Sequence, residues 1–280
     1  MELGNLLKEI RNSRGYTQEY VCKDIITRSY LSMIENNHYS PSISILLELL
    51  DRLNVDLDEF IFLIYRKQEK NNDNLRFLSM ADRIHCSKDL TLLKDSILNS
   101  TFIKYNKKEH LLIVLEILTK FSNKHSLEEI QKEALPIKDY LKSINSWMIY
   151  DFRLFNNTMF CYSIDEILEM MPMIIDYTNR YQLFFGEKNA ILNFISNFCI
   201  MLIMNKSYDE AYEYSGFGLR LLESDNSSPL THELFLKSIY YYANSKLTSS
   251  ISNCQKLKEH LSIARKLNHN NIVEFFNSLD

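Results

Sequence analysis

Five glycines and four prolines are all that interrupt 280 residues, and a chain so poor in turn-forming residues has little means of making the tight reversals that join strands. Between those interruptions Leu, Ile, Lys, Glu, Asn and Tyr recur with the period of an amphipathic helix, and no stretch sustains the alternation of a half-buried strand. Short apolar patches such as Ile61 to Tyr65 sit inside longer helical patterns. The expected fold class is all-α. At 280 residues the chain exceeds one small domain, which predicts two: residues 1–65 as a five-helix domain and residues 66–280 as a helical repeat.

Several function classes fall away early. The longest apolar run, NFCIMLIMN from Asn197 to Asn205, is far short of the roughly 18 to 20 residues that cross a bilayer. No signal-peptide succession opens the chain, so a cytoplasmic location without membrane contact is expected. Cys22, Cys86, Cys161, Cys199 and Cys254 are widely spaced, which fits reduced, packed thiols better than a disulfide framework or a zinc site. His38, His85, His110, His125, His232, His260 and His269 form no HExxH pair. With no glycine-rich phosphate loop and no nucleophile elbow, the reading is non-enzymatic, with no metal and no cofactor.

The first 65 residues carry their own boundaries. Leu3, Leu6, Leu7 and Ile10 make one stripe that stops at Gly15, a residue suited to the left-handed turn after a helix. Thr17 caps a second helix in which Val21 and Ile25 face inward, and Thr27 caps a third from Arg28 to about Asn36. Leu31 and Ile34 point to the core, leaving Arg28, Ser29, Ser32 and Met33 on the opposite face with Tyr30 beside them. Helices from Ile43 to Leu53 and from Leu57 to about Tyr65 complete the domain. Its six basic residues (Lys8, Arg11, Arg14, Lys23, Arg28, Arg52) stand against ten acids. The whole net charge of −4 therefore resides here, which opposes simple electrostatic attraction to nucleic acid. Five of the six bases precede residue 29, while Glu48, Asp51, Asp56, Asp58 and Glu59 cluster later, so a basic and an acidic face can coexist.

The succession of Thr17-Gln18-Glu19, Ser29-Tyr30-Leu31-Ser32-Met33-Ile34-Glu35, Pro41-Ser42 and Asp58-Glu59-Phe60 resembles the Xre-type helix-turn-helix of phage and bacterial repressors. By that resemblance Thr17 and Gln18 would touch phosphate or a base edge. Thr27, Arg28, Ser29, Tyr30 and Ser32 would stand in or at the major groove, and Asn36, Asn37 and His38 would meet the backbone beyond it. Arg11 and Glu35 match an ion pair that ties helix one to the end of helix three, a structural role. One departure is visible: the turn at Ile25 and Ile26 lacks the Gly that most such domains place there and is one residue shorter, as in peptide-pheromone regulators.

From Arg66 onward eleven or twelve amphipathic helices are expected, with start signals where Ser126, Ser163 and Ser207 each precede a Glu by three residues. SYDEAYEYSGFGLRLLE and CQKLKEHLSIARKLN carry the small Ala and spaced apolar residues of tetratricopeptide-like pairs, predicting an α-solenoid whose inner helices line a groove. Polar residues in otherwise apolar helices are the candidates to face it. Asn193 and Asn197 are four apart and opposite Leu192, Ile195 and Phe198; Arg153 and Asn157 repeat that spacing; Tyr240, Tyr241 and Asn244 offer a third strip. Carboxamides in a row can pair with the backbone of an extended peptide, and Arg153 suits a carboxylate. The alternative for Arg153 is a bond to Asp151 or Asp165.

ITRSYLSMIE with its short turn, WMIYDFRLFNN, LNFISNFCIML and the SYDEAYEY helix together resemble the Rgg/GadR/MutR regulators, peptide-pheromone-responsive relatives of PlcR and PrgX, over nearly the full length. That resemblance implies a homodimer, a palindromic site on double-stranded DNA, and a short hydrophobic signalling peptide in the helical-repeat groove. A helix-turn-helix repressor whose helical half is a protein-interaction scaffold is the alternative.

Overall fold

A computed structural model describes residues 3–67, 87–99, 106–184, 186–223 and 230–279, and every regular element among them is helical. The chain divides into two compact units, residues 1–77 and 78–280. The expected boundary at 65/66 precedes that division, which falls among residues outside the described ones.

The first unit holds α1 (Leu3–Ser13), α2 (Gln18–Cys22), α3 (Arg28–Glu35), α4 (Ile43–Arg52) and α5 (Leu57–Lys67). Gly15 takes φ 69° after α1, and the Thr17 and Thr27 hydroxyls accept from the Tyr20 and Tyr30 amides at 3.1 and 3.2 Å to cap α2 and α3. The second helix ends at Cys22, earlier than the apolar spacing to Ile25 predicts. Asp24 turns left-handed at φ 63°, and the Ile25 and Ile26 amides both donate to the Cys22 carbonyl. Asp tolerates that conformation better than most side-chain-bearing residues, so the short turn closes without glycine and Ile25 packs from the turn.

Leu7, Val21, Leu31, Ile34, Leu49 and Phe60 form the centre of this unit's core. Gly4 lets α1 lie directly on the end of α3. A Cβ at Gly4 would stand 1.8 Å from the Ile34 carbonyl oxygen, and the Gly4 amide donates to Asn37 Oδ1 at 2.8 Å.

The second unit holds eleven α-helices among the described residues: α6 (Ser87–Asn99), α7 (Asn106–Ser122), α8 (Leu127–Glu133), α9 (Leu135–Ser143), α10 (Ile149–Thr158), α11 (Ile164–Tyr181), α12 (Glu187–Met204), α13 (Tyr208–Glu223), α14 (Leu230–Thr248), α15 (Ile251–Lys266) and α16 (Asn270–Asn277). The expected caps are at work. Ser126 Oγ accepts from the Glu129 amide, α13 begins just after Ser207, and Ser163 with Glu166 forms a reciprocal capping box at 3.2 and 2.9 Å. Glu166 also accepts from the Lys138 ammonium at 2.8 Å, which ties α9 to α11.

Aromatic rings run through the core of this unit. Trp147 lies against Phe155, Phe155 against Phe194, and Phe152 stacks on Tyr177 with centroids 4.2 Å apart. Cys22, Cys161 and Cys199 are buried free thiols, and burial pushes Cys161 up to about 12. Cys254 is exposed, against the expectation of packing, because α15 buries only Ala264 completely. Cys86, His85 and the part of the expected helical array between residues 68 and 86 lie outside the described residues. Among the described residues no helix is long and apolar enough to cross a membrane, and no group of three or more His, Cys, Asp or Glu could hold a metal ion.

Candidate functional site

On α3 the side chains divide into supports and an outward face. Leu31, Ile34 and Glu35 are buried, whereas Arg28, Ser29 and Met33 are exposed, with Ser32 and Tyr30 half-buried. The Tyr30 ring meets Tyr39 edge-on with centroids 6.0 Å apart. Arg11 grips Glu35 through two bonds, Nε to Oε1 at 2.6 Å and Nη2 to Oε2 at 2.9 Å. Gln18 Nε2 donates to the same carboxylate at 2.8 Å. Gln18 therefore acts as a third brace in this group, with its amide nitrogen turned toward Glu35.

The polar residues after α3 are similarly engaged. Asn36 Oδ1 accepts from Lys8 at 3.3 Å, its Nδ2 donates to the Ser32 carbonyl, and Asn37 Oδ1 holds the Gly4 amide. His38 is exposed. Of the ten residues expected at DNA, Arg28, Ser29, Tyr30, Ser32 and His38 are thus the ones for which no side-chain hydrogen bond to another element is seen among the described residues, and the threonine hydroxyls serve as caps.

In the second unit α12 is enclosed on three sides. Its Phe194 meets Phe152 and Phe155 of α10, its Phe198 meets Tyr214 of α13, and Gly218 of α13 lets Ile195 and Leu236 close in. On the fourth side Asn193 and Asn197 are exposed, continuing from Asn189 toward Met204. His232 of α14 reaches across to Asn193, with Nε2 2.9 Å from Oδ1. A polar stripe on a helix whose other faces are apolar and covered leaves its hydrogen-bonding groups outside the core.

Arg153 does not stand free beside that stripe. Its guanidinium pairs with Glu187 at the start of α12, a carboxylate only 1% exposed, and Tyr177 donates to the other carboxylate oxygen at 2.6 Å. Neither Asp151 nor Asp165 is this partner: Asp151 accepts from the Met148 amide and from the Tyr140 hydroxyl at 2.9 and 2.8 Å. Asn157 is buried, and it is Asn156 that shares the partly open face of α10 with Arg153.

The third expected strip faces elsewhere. Tyr240 bonds to Tyr212 of α13, hydroxyl to hydroxyl at 2.7 Å, and Tyr241 stacks on His260 of α15 with centroids 5.3 Å apart. Tyr241 comes about two and a half turns after His232, on the opposite side of α14, and Asn244 follows Tyr240 by about one turn. The structure thus brings Arg153, Asn193 and Asn197 onto neighbouring helices, but Tyr240, Tyr241 and Asn244 lie on a side of α14 turned toward α13 and α15. Glu187, Asn156 and His232 were missed by spacing arguments. For Asn156 the signal existed, since residues three apart share a helix face as well as residues four apart.

A five-helix unit built around a capped helix-turn-helix, followed by an array of packed helices, defines a helix-turn-helix transcriptional regulator. A helix-turn-helix family model matches residues 7–60, and the model of the C-terminal domain of the HTH-type transcriptional regulator Rgg matches residues 90–278. The chain belongs to the Rgg family of transcriptional regulators.

Solved structures share the fold at low identity. A candidate transcriptional regulator from Listeria monocytogenes EGD-e superposes with a TM-score of 0.82 at 20% identity, covering 99% of this chain and 95% of that one. The SHP pheromone receptor Rgg2 of Streptococcus dysgalactiae gives 0.71 at 18% identity, with 99% and 98% covered. PlcR of Bacillus thuringiensis, solved with the peptide PapR7 and DNA, gives 0.68 at 16% identity, with 99% and 98% covered.

Proposed function

We propose that this chain is a cytoplasmic, non-catalytic, homodimeric regulator that reads a palindromic promoter site through paired α3 helices and is switched by a short apolar peptide bound along the open face of α12. The observation that carries the peptide reading is the Asn193 and Asn197 stripe on an otherwise covered helix. Support comes from similarity to a pheromone receptor and to a regulator solved with both peptide and DNA. Because Glu187 already supplies the carboxylate for Arg153, the peptide needs no acidic group. Pairing of two DNA-reading units follows from charge: six cations against ten acids give one unit little phosphate attraction. The peptide acts by binding one dimer arrangement better than another, so that two half-sites about 34 Å apart are matched or missed.

Calorimetric titration of the purified chain with short apolar peptides encoded beside its gene tests the sensing half of this reading. Heat of binding is expected for at least one, and its absence across the set would reject peptide sensing. The DNA half is tested at α3. Arg28→Ala should weaken promoter binding about tenfold to a hundredfold, the worth of one good base contact, with Tyr30→Ala weakening it in the same direction. An unchanged footprint for both would remove α3 as the reading helix.

A further inference from the structure

The outer side of α3 has an apolar residue at its centre. With about 100° between successive residues of a helix, the buried Leu31, Ile34 and Glu35 span about 100° of its circumference, and the direction opposite them falls between Ser29 and Met33. Arg28 and Tyr30 stand about 100° to either side of that direction. Ser29 and Met33 are both exposed, Met33 by 37%, so whatever meets the outer side of α3 meets these two first. Of the pair, only Met33 has a side chain long enough to project well beyond the main chain.

The point from which Met33 projects is fixed. Asn37 takes φ 59° after α3, the His38 amide donates to the Met33 carbonyl at 2.9 Å, and the Asn37 amide donates to the Ile34 carbonyl at 2.9 Å. This pair of bonds closes a helix end and satisfies its last carbonyls. The Asn37 side chain holds the Gly4 amide of α1 as well, so the turn that carries Met33 is tied to a second helix. A single exposed methionine is ordinary on a protein surface. Here it stands at the middle of a face otherwise made of Arg28, Ser29 and Ser32, where it removes a hydrogen-bonding group from the place that a base edge would approach most closely.

The chemistry of a thioether narrows what it can meet there. It donates no hydrogen bond and accepts only weakly. Against an amino or carbonyl group of a base it would leave that group unpaired, which costs affinity. The C5 methyl of thymine is the one apolar group on the base edges of the major groove, and a flexible methionine adapts well to an apolar partner.

We infer that Met33 reads the methyl group of a thymine, one in each half-site. This rests on the reading of DNA through α3 and adds a base preference set by packing alone. Cytosine at that place would lack the methyl and set an amino group against the sulfur; uracil would lack the methyl and nothing else.

The probe is random double-stranded DNA, from which the full chain selects its preferred site by gel shift. Each thymine of that site is then replaced singly by uracil, which deletes one methyl and keeps every hydrogen-bonding atom. One thymine in each half-site should be sensitive, with affinity falling about fourfold, the worth of one buried methyl, and about fifteenfold when both half-sites carry uracil. Met33→Ala should bind the thymine and uracil sites equally, and Met33→Leu should keep most of the difference. A wild-type chain indifferent to uracil at every position would overturn the inference while leaving the reading of DNA intact, and that comparison needs no variant to fold. A difference undiminished in Met33→Ala would overturn it too, assigning the methyl to another side chain such as Tyr30. Selection of no sequence at all would overturn the reading of DNA through α3 and this inference with it.

Discussion

A Gly4→Ala chain is expected to lose promoter binding and to unfold its first unit at a much lower temperature, with the second unit unaffected. Helix propensity alone points the other way, since Ala is favoured over Gly inside a helix by about 1 kcal/mol. Sterics reverse the sign. The new Cβ would stand 1.8 Å from the Ile34 carbonyl oxygen and 2.8 Å from its carbon. These are backbone atoms of α3 that cannot turn aside as a side chain can. Overpacking against side chains costs about 1–3 kcal/mol, and here at least about 3 kcal/mol is expected. That is a large part of the roughly 5 kcal/mol that holds a small domain together. Thermal unfolding followed by circular dichroism, with a gel-shift assay on the same sample, measures both effects. Melting at or above the wild-type temperature would mean that α1 does not rest on the end of α3.

The second large effect is expected at Arg153. Arg153→Ala should destabilise the second unit by about 3 kcal/mol, the lower end of what breaking a buried ion pair costs. The lower end applies because the guanidinium is 26% exposed and water can partly replace it. Glu187 would be left with the Tyr177 hydroxyl, whose proton is held by burial and by its bond to this carboxylate. Glu187→Gln should cost less, since Arg153 can then turn to solvent. The pair Arg153→Met with Glu187→Leu should recover most of the loss, as apolar replacements of buried ion pairs commonly do. Denaturant melts of the wild-type chain, Arg153→Met, Glu187→Leu and the two replacements together give the coupling directly. Losses that simply add would show that the two side chains do not interact. A chain with Arg153→Ala that keeps its stability but loses peptide binding would instead return Arg153 to the role of ligand contact.

What the sequence made legible was local. The helical class, Gly15, the threonine caps and the Ser163 capping box follow from signals a few residues long, and each lies where the spacing puts it. The Arg11 and Glu35 pair was legible only through family resemblance. Other long-range partnerships were not legible, because a charge does not announce which distant charge it will meet. Nothing near Arg153 marks Glu187, 34 residues on, above Asp151, yet Asp151 is committed to the end of its own helix. In the same way periodicity offers Asn156 and Asn157 equally, and only the packing of α10 decides that Asn157 is the one buried. Tyr240 and Tyr241 keep edge contact, with ring centroids 5.6 Å apart, yet meet different helices, α13 through Tyr212 and α15 through His260, because adjacent residues point about 100° apart around a helix.

The braces of the first unit and its outward face use different residues. Arg11, Gln18, Glu35 and Asn37 hold the helices to one another and the two threonine hydroxyls cap their own helices, while Arg28, Ser29 and Ser32 remain on the side of α3 turned away from the core. A lineage can therefore exchange the second set without disturbing the first. Under the reading of DNA through α3 proposed above, exchange of Arg28, Ser29 and Ser32 would redirect the chain to a different DNA sequence while the braces kept the unit folded.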